Sequence, residues 1–247
     1  MSGPEAFFAS RSMQALEVLA FGPSTATQVA AELQVHPRTA RRLLNRMVHD
    51  GWLVRRAGPR PTYTPTMRIV ALAAQLAHRA PLVRHATDVA RDLHERLDRP
   101  VHLAIPSYRS ALRLVRAAGR YDGAPALRDL APAHAIAAGK LLLAFREPWR
   151  DVVLDSPLAS VTANTLVDAR RLRAELDATR DRGYAVEDEE FRLGARALAV
   201  PVQVDGEVVA ALAVSSESAS LPELLESNER VALAAEELAA RLAVEPA

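Results

Sequence analysis

The sequence has no cysteine, a single lysine (Lys140) and no long apolar run. Without cysteine the protein can form no disulfide, thiol nucleophile or cysteine-based zinc site. Its longest apolar runs are about half of the roughly 18 residues needed to cross a bilayer. The N-terminal residues also lack the charged and apolar regions of a secretory signal. These absences predict a cytoplasmic protein that does not cross a membrane.

The net charge of +1 conceals an uneven distribution of charge along the chain. Residues 1–66 contain eight arginines and four acidic residues, whereas the remaining residues contain 23 basic and 26 acidic ones. This asymmetry indicates a basic interaction module joined to a nearly neutral one. The length of 247 residues and the hydrophobic content of 49% allow each module its own core.

The basic module has the pattern of three helices followed by a hairpin. Apolar residues at helical spacing predict a first helix over 12–20, and Thr25 with Gln28 forms a capping-box pattern that begins a second. Pro37 suits the first turn of a third helix, which Gly51 ends. The segments WLVRR and TYTPT flank a turn and predict two paired strands. Together these elements predict a winged helix-turn-helix.

The third helix has an apolar face and an arginine-rich face. On a helical wheel the apolar face consists of Ala40, Leu43, Leu44, Met47 and Val48. The opposite face carries Arg38, Thr39, Arg42 and Asn45, with Arg41 and Arg46 on its flanks. Arginine can pair with guanine and asparagine with adenine, while arginines of the hairpin can hold phosphates, namely Arg55, Arg56 and Arg60. A merely solvated face is the alternative, but such a face normally interleaves acidic residues, and none precedes Asp50.

Beyond the hairpin, helical patterns are followed by a mixture of strands and helices. Residues 67–81 predict a linker helix, and a further helix runs from about Leu82 to Leu97. Strand patterns at VHLAIP and ALRLV precede a helix at LLLAF, a helix capped by Asp168, a hairpin turning at Asp205-Gly206, and a final helix over 222–243. This order predicts an α+β domain with a pocket between its sheet and loops.

Three segments of the second half, in order, resemble the IclR family of bacterial transcription regulators: AHAIAAGKLLLAF, TANTLVDARRLRAELDATRDRGYAVEDEE and GARALAVPVQVDGEVVAALAVS. RTARRLLNRMVHDGWLVR resembles the family's DNA reader. The resemblance implies a winged-helix domain over 1–66, a linker helix over 67–81 and a GAF-like effector-binding domain over 82–247. It implies a dimer or tetramer on a palindromic double-stranded DNA operator, expected to be a repressor, with no cofactor.

The resemblance also implies an effector site for a small, commonly carboxylate-bearing metabolite. By matched position its residues are Ala137, Ala138, Gly139, Glu187, Ala197, Ala213 and Ser215. Backbone N–H groups at a helix N-terminus and a serine hydroxyl suit a carboxylate. The family often has Asp, Cys and Ser where this chain has Glu187, Ala197 and Ala213. The loss of two polar side chains favours a larger, aromatic acid or derivative. Within the acidic run 187–190, Glu187 is expected to turn inward.

An enzyme is the main alternative class. AAGK lacks the glycine and the serine or threonine that a phosphate loop needs, and no G-x-S-x-G is present. The histidines form no H-E-x-x-H, although four are candidate metal ligands: His78, His85, His94 and His102. Lys140 is a candidate for Schiff-base chemistry, but a charge on a helix surface or pocket rim is the preferred interpretation. A winged helix that binds another protein is a third alternative, against which the arginine-rich helix argues.

Overall fold

The computed structural model describes residues 4–20, 22, 24–118 and 130–245, and the statements below concern those residues. The chain divides into two compact units, Met1–Arg79 and Ala80–Ala247. The division falls within the predicted linker. None of the described helices is long and apolar enough to cross a membrane.

The first unit is a small helical domain with a three-stranded sheet. Its elements are α1 (Pro4–Ala20), β1 (Ser24–Thr25), α2 (Ala26–Glu32), α3 (Pro37–His49), β2 (Leu53–Arg56), β3 (Thr62–Pro65) and α4 (Met67–Arg79). The strands are antiparallel in the order β1-β3-β2. Helix α1 begins earlier than predicted, and the two-residue β1 was not predicted. The predicted capping box of Thr25 and Gln28 is present, and it starts α2.

Helix α3 packs its apolar face into the core of this unit. It buries Ala40, Leu43, Leu44 and Met47, which confirms the predicted face. Pro37 is its first residue, and the preceding His36 caps it by accepting the N–H of Arg38 at Nδ1 over 3.2 Å. The sequence did not identify this cap. The buried face fixes the helix so that its arginines project outward.

Helix α4 is anchored at its first turn and carries exposed apolar side chains beyond it. The Arg68 guanidinium lies 4.1 Å from the centroid of the Trp52 ring and donates to the carbonyl of Asp50 over 3.0 Å. The exposed apolar residues are Met67, Val70, Leu72 and Leu76. The helix therefore begins as part of the winged domain but leaves much apolar surface without a partner in the described chain.

The second unit confirms the predicted α+β class. Its elements are α5 (Pro81–Leu97), β4 (Val101–Ser107), β5 (Ser110–Ala117), β6 (Leu130–Pro132), a short 3-10 turn (Ala133–Ala135), α6 (Ala137–Phe145), α7 (Glu147–Leu154), α8 (Ala169–Arg182), β7 (Ala185–Asp188), β8 (Arg196–Val204), β9 (Glu207–Ser216), α9 (Leu221–Leu225) and α10 (Asn228–Val244). The six strands form an antiparallel sheet in the order β6-β5-β4-β9-β8-β7.

Helices cover both faces of this sheet. Apolar residues of α5 and α10 pack on one face, in a core that includes Leu93, Leu198, Leu212 and Leu238. Helix α6 packs on the other face against a set of mostly alanine side chains, and α7 and α8 pack against α6. Small side chains on the α6 side let that helix approach the strands closely.

The end of the chain differs from its prediction. The single helix expected over 222–243 is two helices, α9 and α10. Ser220 and Glu223 form a capping box that starts α9, and the N–H of Ser227 bonds to the carbonyl of Leu224 at its end. The hairpin does turn at Asp205 and Gly206, with φ of 50° and 82°, as the Asp-Gly pair predicts. Strands β6 and β7 and helix α7 were not predicted.

Candidate DNA-binding and effector sites

The residues predicted to contact DNA lie on the surface of the first unit. Thr39 is half-buried, and the others are exposed: Arg38, Arg41, Arg42, Asn45, Arg46, Arg55, Arg56 and Arg60. Side chains from α3 and the β2–β3 wing meet in a groove of about 740 Å³ whose lining includes Arg41, Asn45, Arg55 and Arg60. The N-terminal residues of α2, Thr27 and Gln28, complete its wall. Three guanidiniums and several hydrogen-bonding groups thus converge on one concave surface, as binding to a polyanion requires.

Tyr63 orients one of the predicted base-reading residues. Its hydroxyl donates to Oδ1 of Asn45 over 3.0 Å, although Tyr63 itself is only 2% exposed. In the wing it pairs with Arg55, another residue of the groove. The Asn45 amide therefore presents its NH2 group outward while one lone pair of its oxygen is occupied. Tyr63 was not among the predicted site residues, because it is a buried core side chain and its contact with Asn45 is visible only in the structure.

Five predicted DNA contacts are not among the residues that line the groove: Arg38, Thr39, Arg42, Arg46 and Arg56. Arg55 and Arg56 are neighbours on one strand, so their side chains point to opposite faces of the wing. Arg46 forms an exposed ion pair with Asp50, with 3.2 Å between Nε and Oδ2. An exposed pair of this kind contributes little to stability, so Arg46 can exchange this partner for a phosphate.

In the second unit the sheet brings the predicted effector residues together. Glu187 on β7 pairs with Ala197 on β8, which pairs with Ser215 on β9. Ala213 lies on the same face as Ser215, two residues back along β9. The first residues of α6, Ala137 and Ala138, share a buried cluster with Ala197 and Ala213. The residues matched to the family's effector site therefore lie in one continuous region between α6 and the sheet.

Gly139 has a packing role at the start of α6. A Cβ atom at this position would lie 2.1 Å from the carbonyl oxygen of Ala133. The close approach of α6 to the preceding 3-10 turn therefore requires glycine. This explains the Gly before Lys140 without a phosphate-binding loop.

Glu187 turns inward, as predicted, and faces the N-terminus of α6. It is 5% exposed and accepts the N–H of Phe191 at Oε1 over 3.3 Å. The pKa of Glu187 is raised to about 7, chiefly by burial. The N–H of Phe191 lowers this pKa, nearby Glu190 raises it, and Lys140 and the N–H of Ala137 lower it. A titratable carboxyl thus already lies at the helix end where an effector carboxylate was expected.

The interpretation of Lys140 as an exposed charge was wrong. The side chain is 1% exposed and forms a buried ion pair with Glu190, a second carboxyl that turns inward. Burial raises the pKa of Glu190, and the Lys140 ammonium opposes that rise. The segment that follows β7 and carries Glu190 is held in place by two threonines. Thr162 donates to the carbonyl of Glu189 over 2.7 Å, and Thr165 donates to the carbonyl of Glu190 over 2.6 Å. The Thr-x-x-Thr segment and the acidic run therefore pack together. Their separation in sequence gave no indication of this contact.

Four of the remaining acidic and histidine candidates have structural partners: Asp188, Glu189, His85 and His94. Asp188 and Glu189 both pair with Arg196, over 2.7 and 2.6 Å. His85 and His94 contact Glu245 and the carbonyl of Arg99. No cluster of three or more metal-ligating side chains occurs in the described part of the chain, and the side chain of His78 lies outside it.

The first unit is a winged helix with an arginine-lined groove, and the second is a helix-covered antiparallel sheet with a buried ionisable cluster. These two units are the domains of a DNA-binding regulator with an effector domain. Residues 9–57 match the IclR helix-turn-helix domain, and residues 74–240 match the family described as bacterial transcriptional regulator IclR C-terminal. The chain belongs to the IclR family of bacterial transcriptional regulators. The family consists of regulators and not of enzymes.

Similar proteins include both curated relatives and solved structures. "Probable transcriptional regulator SauR" of Cupriavidus necator is 30% identical over 202 residues, which cover 78% of this chain and 79% of that protein. The IclR transcriptional regulator from Alicyclobacillus acidocaldarius has a TM-score of 0.67 at 22% identity, covering 98% and 99% of the two chains. A double mutant of the PobR inducer-binding domain from Acinetobacter, in complex with 3-hydroxybenzoic acid, has a TM-score of 0.56 at 26% identity, covering 62% of this chain and 94% of that one.

Proposed function

We propose that this protein is a repressor that binds a palindromic operator and responds to a small organic acid or derivative, more specifically an aromatic one. The groove lined by Arg41, Asn45, Arg55 and Arg60 is the observation that carries the DNA-binding part. Residues 1–66 form the DNA-binding domain, residues 67–81 form the helix that links the two domains, and residues 82–247 form the effector-binding domain. The place of action is the cytoplasm, where bacterial DNA lies, and the active form is a homodimer or a dimer of dimers.

Within the DNA-binding surface the residues divide by role. Arg42 and Asn45 contact base edges, because they project from the middle of the exposed face of α3. The surrounding residues position the helix on the backbone, namely Arg38, Thr39, Arg41 and Arg46. Arg55, Arg56 and Arg60 contact phosphates beside the wing, where contacts carry no sequence information.

The effector occupies the region bounded by Ala137, Ala138, Gly139, Glu187, Ala197, Ala213 and Ser215. Its apolar body lies against Ala197 and Ala213, since their methyl groups offer no hydrogen bond to a compact polar acid. A polar ligand atom left unpaired there costs about 1–3 kcal/mol. Its hydrogen-bonding end lies near Ser215 and Glu187, and Glu187 accepts a hydrogen bond from a hydroxyl or amide of the ligand. The hydroxybenzoic acid held by the PobR domain supports this ligand class.

Operator release tests this proposal. Fluorescence anisotropy of labelled operator DNA is measured while 4-hydroxybenzoate or pyruvate is added to the wild type and to Ala213→Ser. We expect 4-hydroxybenzoate to release wild-type protein at a concentration at least about tenfold lower than pyruvate, and Ala213→Ser to narrow that difference. A wild type that pyruvate releases more readily, with no change in the variant, would contradict the ligand class.

A further inference from the structure

A β-bulge places two arginines on the effector face of the sheet. His102 of β4 pairs with Arg116 of β5, and Ala104 pairs with Arg113, so that Leu114 is the extra residue of β5. Strict alternation would put Arg113 and Arg116 on opposite faces, because they are three positions apart. The bulge puts both on the face of Ala104, which is the face that α6 covers. Bulges commonly redirect side chains beside functional sites.

The register across the sheet ties these arginines to the proposed effector region. His102 also pairs with Ala213 of β9, and Ala104 pairs with Ala211. Arg116 therefore lies in the same cross-strand row as Ala213, with His102 between them. The Arg113 guanidinium also lies 5.8 Å from the centroid of the Phe191 ring, and the N–H of Phe191 bonds to Glu187. Phe191 thus joins the arginine side of the region to its carboxyl side.

The charges of both arginines act on the buried His102. Burial is the main cause that lowers the pKa of its imidazole, and Arg113 and then Arg116 add to it, so that the pKa falls to about 3. The imidazole is therefore neutral at physiological pH and adds no charge of its own. A guanidinium has five N–H donors, so one arginine can contact protein groups and a ligand carboxylate at the same time.

Two other groups on this face that could bind an acid already interact with carboxyl groups of the protein. The Lys140 ammonium is paired with Glu190 inside the protein. The start of α6 faces Glu187, whose carboxyl interacts with the N–H of Ala137. A second carboxylate at that helix end would meet both Glu187 and Glu190, and like charges so close together oppose one another.

We propose that Arg113 and Arg116, beside His102, bind the acidic group of the effector, at the opposite end of the site from Glu187. The inference rests on the proposed function and deepens it. The ligand it defines is an aromatic carboxylate with a hydrogen-bond donor remote from the acid. Its carboxylate accepts from the guanidiniums, its ring lies near Phe191, and its donor bonds to Glu187.

Calorimetry with a matched acid and amide tests this assignment. Dissociation constants for 4-hydroxybenzoate and 4-hydroxybenzamide are measured on the wild type, Arg113→Gln, Arg116→Gln and the control Arg241→Gln, an arginine of α10 whose ion pair with Glu237 is exposed. Each of the first two variants is expected to bind the acid about tenfold or more weakly, because a charge-assisted hydrogen bond is lost. Amide affinity is expected to stay within about twofold, and the control to resemble wild type. Arg113→Lys, which keeps the charge, is expected to retain part of the acid affinity.

The outcomes separate the inference from the proposed function. Unchanged acid affinity in both glutamine variants overturns the inference and leaves the proposed function in place. Equal losses for acid and amide also overturn it, since they show damage to the fold and not loss of an acid contact. If neither compound nor any other aromatic acid binds the wild type, the proposed function fails and the inference fails with it.

Discussion

Glu187 belongs to the proposed effector region, and its carboxyl group also affects the stability of the fold. Its pKa is raised to about 7 in the folded protein, chiefly by burial, whereas a free glutamate side chain titrates near 4.3. A raised carboxyl pKa means that the folded state holds the proton more tightly than the unfolded chain. The resulting stabilisation is complete below about pH 4.3 and is lost as the pH rises through about 7.

Replacing Glu187 with glutamine is therefore expected to alter the pH dependence of stability. The variant lacks the titrating group, so its free energy of unfolding relative to wild type should increase between pH 5 and 8, by about 1–3 kcal/mol. Urea unfolding at several pH values measures this difference. Glu237→Gln, an exposed carboxylate on α10, is the control and should show no such trend. Parallel pH profiles for wild type and Glu187→Gln would show that Glu187 does not hold a proton in this range.

The sequence predicted the burial or contacts of some individual side chains and not of others. Glu187 could be expected to turn inward from its matched position. The burial of Lys140 could not be expected, because its partner Glu190 is fifty residues away and the loop that delivers it is held by Thr162 and Thr165. The Tyr63–Asn45 hydrogen bond likewise depends on strand pairing, which single positions do not encode.

Helix α6 forms one wall of the proposed effector region, and its position depends on Gly139. In Gly139→Ala the new methyl group would collide with the backbone of Ala133, which cannot rotate away as a side chain can. We expect a loss of about 1–3 kcal/mol in the free energy of unfolding, together with weaker effector binding.

Gly58→Ala supplies the matched control for that change. Gly58 lies in the wing turn, and a Cβ atom there meets no atom within 4 Å. Thermal unfolding and effector calorimetry on both variants make the comparison. A Gly139→Ala protein as stable as Gly58→Ala would mean that α6 does not pack on the 3-10 turn in this way.

Elements with strong periodicity were predictable, and elements defined by partners were not. The amphipathic α3 and the Asp205-Gly206 hairpin followed from spacing and turn chemistry. The bulge at Leu114 did not, since ALRLV reads as a regular strand, and for that reason Arg113 and Arg116 were not among the predicted site residues. The division between α9 and α10 was missed because Leu224 and Val231, seven positions apart, keep helical spacing across the polar residues 226–230.

At the scale of the whole molecule, we expect a dimer formed through the winged-helix domain and α4. One winged helix makes too few contacts for genomic specificity, and α4 exposes Val70 and Leu76 without a described partner. Val70→Glu with Leu76→Glu is expected to shift the protein toward monomer in light scattering at micromolar concentration. Leu233→Glu, at an exposed apolar residue of α10, is the control. A monomeric wild type would contradict the expected dimer. A double variant that remains dimeric would show that Val70 and Leu76 are not in the dimer interface.

We propose that α3 reads the DNA sequence while the wing contacts the phosphate backbone of the DNA. The most direct measurement is the affinity of wild type, Arg42→Ala and Arg60→Ala for selected operator and for random DNA over a range of salt concentrations. We expect Arg42→Ala to lose about 1–3 kcal/mol on operator only, with relaxed preference at one base pair. Arg60→Ala should weaken both DNAs alike and reduce the salt dependence by about one phosphate contact. Equal losses on both DNAs for both variants, or wild-type binding that salt does not weaken, would contradict this division of roles between α3 and the wing.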